Sequence, residues 1–385
     1  METEEITEGE IEITVPKLEN FKTSPNEYVP SKTEVFFNPV MEFSRDISVS
    51  SLAVSSEGID GLRACDSLSG IGARGLRYAK EIERSKKVVI NDRSSKAADL
   101  IQKNIDKNGL ENAEKRQKDA NRMLSNHRPR FHMIDLDPFG SPIPFLDSSF
   151  TAISRRGILH ITATDTGPLN GAYRNACIRR YGAYPLRNSF SSEIGLRIFI
   201  GSIQRRAVAY DLALTPILSH STQHYFRSHF KVDQGAKKGD EIMRNMGYIS
   251  YCSECGKREV REGLKPLLSE KCDCGNNMEH AGPMWVGDFS DEGHLRKVIE
   301  DLDVRDFDKS EEEIKLLKLC LEEAGGPPGF YDVHKISSIA GVSPPRFEKI
   351  IRDLRDMDYF ASRTHLSDMG IRTDASVEVL KDVLS

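Results

Sequence analysis

At 385 residues, the chain is longer than one hydrophobic core usually supports, so we expect two or three domains. Hydrophobic residues make up 38% and charged residues 29% of the chain, which is typical of soluble globular proteins. The net charge of −5 argues mildly against a nucleic-acid partner. Local basic clusters, such as Arg174 with Arg179 and Arg180, are either phosphate-binding patches or solvated helix faces.

The N-terminal residues, the apolar runs and the cysteines indicate the cellular compartment of the protein. Residues 1–12 are acidic and lack the apolar centre of a signal peptide, and no apolar run is long enough to span a bilayer. We therefore expect a cytoplasmic, monomeric protein without a membrane partner. Four of the seven cysteines lie between Cys252 and Cys274, which favours a metal site over disulfides in a reducing compartment.

Apolar runs alternate with helical stretches between residues 62 and 161, which predicts an α/β fold with a parallel sheet and helices on both faces. The predicted strands are Leu62–Cys65, Lys87–Asn91, Phe131–Leu136 and Gly157–Thr162, and the predicted helices are Leu76–Arg84 and Ser95–Asn108. Two later runs, Ala213–Leu218 and His220–Val232, predict strands that close the same sheet.

The pattern changes at the Gly/Lys turn Gly235–Gly239, so we predict domains at 1–234 and 235–385, the second of α+β type. Helices are predicted there at Ser290–Leu302 and Ser310–Ala324. After a Gly/Pro break, Tyr331–Ile339 and Ser343–Met357 resemble a helix-turn-helix or winged-helix unit, with Ser343 as a helix cap and Pro344 as the first helical residue. Such units bind nucleic acid or pack on a neighbouring domain, and both roles remain open.

A glycine-rich loop follows the first predicted strand. Gly70, Gly72 and Gly75 let the backbone turn tightly and approach a ligand, as in a dinucleotide fold, a methyltransferase or a plain strand-to-helix turn. Asp92 ends the second strand, where an acidic residue accepts hydrogen bonds from ribose hydroxyls, although it could instead cap a helix. Together these features favour a cofactor that contains a nucleoside.

Two further features favour S-adenosylmethionine over a dinucleotide. Asp119 and Ala120 follow a third strand, where an acidic side chain suits the adenine amino group. A polar loop then follows the fourth strand, where an amine acceptor would lie. A hydride-transfer enzyme needs neither feature.

The loop Asp137-Pro138-Phe139-Gly140 ends an apolar strand, at the edge where ligands bind in open α/β sheets. An exocyclic base amine is a poor nucleophile because its lone pair is delocalised into the ring. The Asp137 carboxylate and the Pro138 carbonyl could accept hydrogen bonds from such an amine, and Phe139 could stack on an extruded base. The alternative is an ordinary Asp-Pro turn.

Motifs over most of the chain make it similar to the tRNA guanine-26 N2-methyltransferases. They are Val35–Pro39 with Ser44–Asp46, the glycine loop, Asp137–Pro142, Thr162–Thr166, Leu214–His220 and Ala361–His365. The resemblance implies a Rossmann-like methyltransferase domain that uses S-adenosylmethionine, and tRNA as the partner. One departure is Val40, where the family pattern leads us to expect a basic residue.

The resemblance also implies roles for individual residues. Those implied to line the methyl donor are Arg45, Arg74, Asp92, Asp119 and Ala120, beside Gly70 and Gly72 of the loop. Those implied to form the guanine pocket are Phe36, Asp137 and Phe139. Arg45 would pair with the methionine carboxylate of the donor, as bidentate arginines do.

The cysteine cluster consists of two pairs, Cys252 with Cys255 and Cys272 with Cys274, and a glycine follows each pair. Four thiolates suit a structural, tetrahedral Zn²⁺ in a zinc knuckle. The second pair is one residue tighter than usual, so His280 is an alternative ligand, and four unligated thiols remain the plain interpretation.

The site motifs and the family resemblance together imply an enzyme that methylates guanine N2 at position 26 of tRNA and adds two methyl groups. Two alternatives stay open: a non-catalytic RNA-binding protein on a degenerate Rossmann core, and an amino-methyltransferase for another RNA base.

Overall fold

The computed structural model describes residues 2–17, 22–24, 27–28 and 34–385. The strands in chain order are β1 (Thr3–Glu8), β2 (Ile11–Pro16), β3 (Lys22–Ser24), β4 (Glu27–Tyr28), β5 (Leu62–Asp66), β6 (Ser85–Asn91), β7 (Ala113–Arg116), β8 (Phe131–Leu136), β9 (Ile153–Ala163), β10 (Leu212–Thr222), β11 (Tyr225–Gln234), β12 (Met246–Tyr251), β13 (Arg258–Glu262), β14 (Glu279–Trp285), β15 (Tyr331–Asp332), β16 (Ala361–Thr364) and β17 (Ser367–Thr373). The helices are α1 (Glu42–Ser55), α2 (Ala73–Glu81), α3 (Ser95–Lys107), α4 (Ala120–Asn126), α5 (Leu146–Ala152), α6 (Thr166–Leu169), α7 (Arg174–Tyr181), α8 (Ser191–Ala207), α9 (Ala236–Arg244), α10 (Glu292–Arg305), α11 (Ser310–Glu322), α12 (Val333–Ala340), α13 (Phe347–Asp356) and α14 (Val377–Leu384). Within the described ranges, no helix has both the length and the apolar character needed to cross a membrane.

A seven-stranded sheet in the order β10-β11-β9-β8-β5-β6-β7 organises the N-terminal half. The strands from β9 to β7 run parallel, whereas β11 is antiparallel to both β9 and β10. The strand order reverses between β5 and β8, and ligands of open α/β sheets bind at such a switch point, outside the carboxyl ends of the strands. The predicted α/β, Rossmann-like sheet is confirmed, but it is mixed rather than parallel because of β11. The predicted strand His220–Val232 is wrong at its start, because His220 belongs to β10 and a turn precedes β11.

Helices cover both faces of the sheet. On one face, α1, α2, α3 and the β1–β2 hairpin enclose a buried apolar cluster that includes Leu52 and Ile101. On the other face, α5, α6 and α8 enclose a second cluster that includes Phe199. This second cluster also contains Trp285 of β14, so apolar packing continues from the sheet to residues beyond position 234.

The C-terminal part contains two small sheets, β13-β12-β14 and β15-β17-β16. Helix α13 begins at Phe347, so the prediction that Ser343 caps this helix and that Pro344 is its first residue is wrong. The physical reason is Pro345, which disfavours the α conformation in the residue before it.

A buried ion-pair network joins the C-terminal part to the helices of the large sheet. Arg372 of β17 donates to Glu193 of α8 at 2.7 and 3.0 Å, and to Glu323, which follows α11, at 2.8 and 3.0 Å. All three side chains are buried. Coulombic attraction to the arginine therefore has to offset the cost of burying both carboxylates.

Arg372→Ala should lower the free energy of unfolding by about 3–5 kcal/mol, because it removes the cation that Glu193 and Glu323 share and leaves each carboxylate with one remaining ion-pair partner, Arg197 and His365 respectively. The fluorescence of the single tryptophan, Trp285, reports unfolding in denaturant. The control is Arg363→Ala, which removes an exposed pair with Glu348 and should cost less than about 1 kcal/mol. Equal losses in the two variants would contradict this account of the network.

Candidate functional site

The carboxyl end of β5 leads into the glycine loop that begins α2. Gly70 and Gly72 have φ angles of +55° and +88°, in the left-handed region that glycine adopts without strain. A Cβ atom on Gly70 would lie 2.6 Å from the carbonyl oxygen of Phe36, so the loop and residue 36 are in direct backbone contact. Position 70 therefore has no room for a side chain, and glycine lets the loop pack directly against residue 36.

Asp92 ties the end of β6 to this loop. Its Oδ2 atom accepts a hydrogen bond from the Gly70 amide at 3.0 Å, and its Oδ1 atom accepts one from Ser94 at 2.9 Å. Ser94 caps α3 by accepting from Ala97, so Asp92 is not the cap of that helix. A carboxylate oxygen has two lone pairs, and Asp92 can therefore still accept bonds from ribose hydroxyls.

Asp119 and Ala120 lie at the beginning of α4, beyond the end of β7. Asp119 is the N-cap of α4 and accepts from Arg122 at 3.0 Å, while its side chain is exposed. Ala120 is buried. Asn91 bonds to both the carbonyl and the amide of Lys118, and this contact holds the Asp119 segment against the end of β6.

The Asp137–Gly140 loop extends from the end of β8. Thr164 fixes it from the end of β9, since the Gly140 amide donates to the Thr164 hydroxyl at 2.7 Å and the Thr164 amide donates to the Gly140 carbonyl at 3.0 Å. The Phe139 side chain is 70% exposed. Its ring meets that of Phe36 edge-to-face, with centroids 4.5 Å apart. Two aromatic rings thus lie next to each other beside the carboxyl ends of the parallel strands.

Arg74 lies beneath this loop and is almost completely buried. Its Nη2 atom is 2.9 Å from Oδ2 of Asp137, and its Nη1 atom donates to the Ser48 hydroxyl and the Ser44 carbonyl of α1. Asp135 of β8 lies 3.8 Å from Arg74 Nε. The guanidinium therefore orients the Asp137 carboxylate from below.

Asp135 is the centre of a second buried set of contacts. Arg227 of β11 is 2.6 Å from its Oδ2 atom, and the Tyr78 hydroxyl donates to it at 2.7 Å. Burial alone would raise the pKa of Asp135, but the Arg227 and Arg74 guanidiniums hold it below its usual value. Asp135 therefore remains anionic in the sheet interior.

Asp66, the last residue of β5, has a raised pKa, in contrast to Asp135. Burial first, and then the nearby Asp135 carboxylate, raise the pKa of Asp66 to about 7, and Arg74 opposes them only in part. Its Oδ2 atom accepts a hydrogen bond from the Gly75 amide at 2.9 Å. The switch point thus holds a cluster of acidic groups, which suits a cationic ligand.

Arg45 already has a carboxylate partner within the protein. Its Nε and Nη2 atoms both lie 2.5 Å from the Glu8 carboxylate of β1, and its Nη1 atom donates to the Asn38 carbonyl at 3.3 Å. Both Arg45 and Glu8 are buried. In this structure the bidentate partner of Arg45 is therefore a carboxylate of the protein itself.

The cysteine cluster lies in a separate part of the molecule, between β12 and β14. The Sγ atoms of Cys252 and Cys274 are 3.6 Å apart, and those of Cys255 and Cys272 are 3.5 Å apart. All four sulfur atoms lie within 4.8 Å of one another. The alternative ligand His280 is instead hydrogen-bonded to Ser250 at 2.8 Å.

Comparison with known proteins now identifies the family. A family profile described as "TRM: N2,N2-dimethylguanosine tRNA methyltransferase" matches residues 9–385. The chain belongs to the N2,N2-dimethylguanosine tRNA methyltransferase family. It is 37% identical to the tRNA (guanine(26)-N(2))-dimethyltransferase of Methanothermobacter thermautotrophicus, over 99% of this chain and 98% of the relative. It is also 37% identical to the enzyme of that name from Pyrococcus abyssi, over 100% and 99% of the two chains.

A solved member of the family has the same fold. The structure of Trm1 from Pyrococcus horikoshii in complex with S-adenosyl-L-methionine aligns with a TM-score of 0.88 and 35% identity. The alignment covers 99% of each chain. The family resemblance expected from the sequence motifs is thereby confirmed over the whole described fold.

In this family member, most of the predicted site residues form one chain of contacts. Asp92 contacts Gly70, Gly70 contacts Phe36, and Phe36 contacts Phe139, while Arg74 contacts Asp137. Asp119 and Ala120 adjoin this set through Lys118. Arg45 and the four cysteines lie outside it.

Sequence reasoning missed Asp66, Asp135 and Arg227. Asp66 and Asp135 have a recognisable signal, because they lie at the ends of β5 and β8, directly before the glycine loop and the Asp137 loop. Arg227 carries no such signal. It reaches Asp135 only because β11 pairs with β9 beside β8, a contact between residues 92 positions apart.

The contribution of Asp66 to the stability of the fold should fall as the pH rises from about 4 to about 7. Its pKa is about 7 in the folded chain, against about 3.9 in an unfolded chain, so the folded state retains a proton across this window. Asp66→Asn removes the titration but keeps an oxygen for Gly75. The free energy of unfolding of the variant relative to the wild type should increase between about pH 4 and about pH 7. A difference that does not change with pH would contradict the assignment.

Proposed function

We propose that this chain transfers methyl groups from S-adenosylmethionine to the exocyclic N2 amine of guanine 26 in tRNA, twice in succession. The observation that carries the proposal is the placement of Asp137, which Arg74 holds at 2.9 Å beside the Phe36–Phe139 pair, at the switch point of the sheet. Membership of the family and the names of its full-length relatives support the same activity.

The residues present fit the methyl donor. The glycine loop packs so tightly on the Phe36 carbonyl that no Cβ atom fits at position 70, and Asp92 adjoins the loop with lone pairs that can accept hydrogen bonds from ribose hydroxyls. The Asp66 carboxyl, whose pKa is about 7, adds negative charge when it is ionised, and this charge stabilises a sulfonium cation nearby. When bound, S-adenosylmethionine supplies an electrophilic methyl group.

Arg45 has a modified role in this proposal. Glu8 already occupies its bidentate face, so a donor carboxylate would have to share the guanidinium through its Nη1 side. The proposal therefore places Arg45 chiefly as the group that positions the β1–β2 hairpin beside α1.

Asp137 acts on the acceptor amine. Among the described residues, Arg74 donates to Oδ2 of Asp137, and Oδ1 is available to accept a hydrogen bond from N2 of guanine. The Pro138 carbonyl can accept from the second N–H bond. These contacts localise the nitrogen lone pair and direct it at the methyl group, while Phe36 and Phe139 hold the base. The new N–C bond would form as the S–C bond breaks, the donor sulfur would keep the electron pair as a neutral thioether, and the amine would then release one proton to the Asp137 carboxylate or to water.

Transfer of a labelled methyl group tests the activity. Wild-type protein, labelled donor and an unmodified tRNA transcript should give N2-methyl- and N2,N2-dimethylguanosine on digestion, and a transcript with adenine at position 26 should remain unlabelled. Label on adenosine or cytidine would indicate another base as the substrate. Binding of tRNA without any transfer would favour a non-catalytic RNA-binding protein.

Asp137→Ala should lower kcat for tRNA by about 100-fold or more, because the amine loses its acceptor. The dissociation constant of the donor, measured by calorimetry, should change by less than about threefold, because Arg74 keeps its contacts with α1. Loss of donor binding in the variant would contradict the assigned role of Asp137.

We further propose that the four cysteines hold a structural Zn²⁺. A tetrahedral ion with Zn–S distances of about 2.3 Å places its sulfur ligands about 3.8 Å apart. The observed separations of 3.5 and 3.6 Å are close to this value. Four protein ligands leave no open position for a substrate, so the ion would only fasten the turn between β12 and β13 to the segment before β14.

The purified protein should contain one equivalent of zinc by elemental analysis, and Cys252→Ser should lose it. Cys177→Ser, a buried cysteine outside the cluster, is the control and should retain the metal. Wild-type protein without zinc, prepared without chelators, would contradict the proposal.

We also infer a winged-helix unit at the C-terminus. The order α11-β15-α12-α13-β16-β17, with a sheet in the order β15-β17-β16, supports this inference. The unit has its own buried apolar cluster, which includes Ile350 and Leu380. With the network around Arg372, it would form the C-terminal tRNA-binding part of residues 235–385.

A further inference from the structure

A basic cleft lies beside the Asp137–Gly140 loop. It has a volume of about 760 Å³ and is formed by α7 and the segment before it. Its lining includes Pro168, Tyr173, Arg174, Arg179 and Arg180. We call it the α7 cleft.

The charge of this region differs sharply from that of the whole chain. Residues 166–192 contain four arginines and no aspartate or glutamate, although the chain carries a net charge of −5. In the described part of the chain, no carboxylate lies within ion-pair distance of Arg174 or Arg179, and both are exposed. Arg180 is paired, at 3.0 Å, with Asp165. Positive charge without a nearby counter-charge favours an anionic ligand such as a phosphodiester.

An exposed aromatic ring lies next to these arginines. Tyr173 is 66% exposed, and its ring rests against Gly167, where a Cβ atom would approach it to 3.1 Å. Arg174 lies over the ring of Tyr184, 5.2 Å from its centroid. Arginines beside exposed aromatic rings are typical of surfaces that bind single-stranded nucleic acid, because the arginines contact phosphates and the rings stack on bases.

Hydrogen bonds connect the α7 cleft to the Asp137–Gly140 loop. Asp165 accepts from the Tyr181 hydroxyl and from Arg180, both in α7. Asp165 directly follows Thr164, which forms two hydrogen bonds with Gly140. An RNA strand bound in the cleft would therefore pass beside the loop that holds the target amine.

We propose that the α7 cleft binds the tRNA strand adjacent to the methylated guanine, with Arg174 and Arg179 on phosphates and Tyr173 stacked on a neighbouring base. This inference rests on the proposed function and names contact residues for its substrate. Flipping a base out of a helix unpairs it and exposes the flanking backbone, and the cleft offers that strand both charge and a stacking surface.

The double variant Arg174→Ala/Arg179→Ala tests the phosphate contacts. Its dissociation constant for an unmodified tRNA transcript should rise about 10- to 100-fold, and the slope of log K against log salt concentration should flatten by about 2, about one unit per phosphate contact. Donor affinity and the thermal midpoint should match the wild type. The matched control, Arg155→Ala/Arg156→Ala, removes the same charge from exposed positions near the opposite end of β9 and should leave the slope unchanged.

Tyr173 provides a test that does not change the charge. Tyr173→Ala should weaken tRNA binding about tenfold at an unchanged salt slope, and Tyr173→Trp should restore it, because stacking needs only an aromatic face. Suppose that the wild type methylates guanine 26, and that the Arg174/Arg179 double variant and the Tyr173 variant have the same dissociation constant for tRNA as the wild type. The α7 cleft is then not the binding site, and the proposed function stands. A wild type that methylates no tRNA overturns the proposed function itself.

Discussion

Arg74 provides the buried positive charge on which the arrangement of the site depends. It contacts Asp137 in the loop, Asp135 at the end of β8 and the serines of α1, and thereby joins α1, α2 and the carboxyl end of β8. Without it, two carboxylates at one strand end would repel each other in a region of low dielectric. The orientation of Asp137, and with it the geometry offered to an amine, follows from this one guanidinium.

The acidic surplus at the switch point has a consequence for ligand choice. Arg74 and Arg227 pair with Asp135 and Asp137, and Asp66 adds a third carboxyl group whose pKa is about 7 and whose ionisation a nearby cation favours. A cationic methyl donor would compensate the remaining negative charge, whereas a pyrophosphate would increase the repulsion. The same glycine spacing that serves dinucleotides is therefore combined here with charges that favour a sulfonium. The α7 cleft shows the opposite sign, which suits the polyanionic acceptor.

The sequence was informative where structure is determined locally. Strand periodicity, the glycine loop and the polar residues at strand ends located the sheet and the site, because parallel strands bring their carboxyl ends to one edge. Contacts between distant segments were not predictable. The pairing of Arg45 with Glu8 needs the β1–β2 hairpin beside α1, and the late start of α13 depends on Pro345. The predicted domain boundary at residue 234 stays a prediction. Apolar packing continues across that position, because Trp285 lies in the same buried cluster as the helices of the large sheet.

The most direct test of the central claim is a crystal structure of the protein with S-adenosylhomocysteine and an unmodified tRNA. The account predicts that guanine 26 lies between Phe36 and Phe139, with its N2 atom within about 3.2 Å of the Asp137 carboxylate. The sulfur atom of S-adenosylhomocysteine should lie opposite the same nitrogen, with room for one methyl group between the two atoms. A guanine bound elsewhere, or one whose N2 atom faces away from Asp137, would contradict the assignment of this loop as the chemical centre.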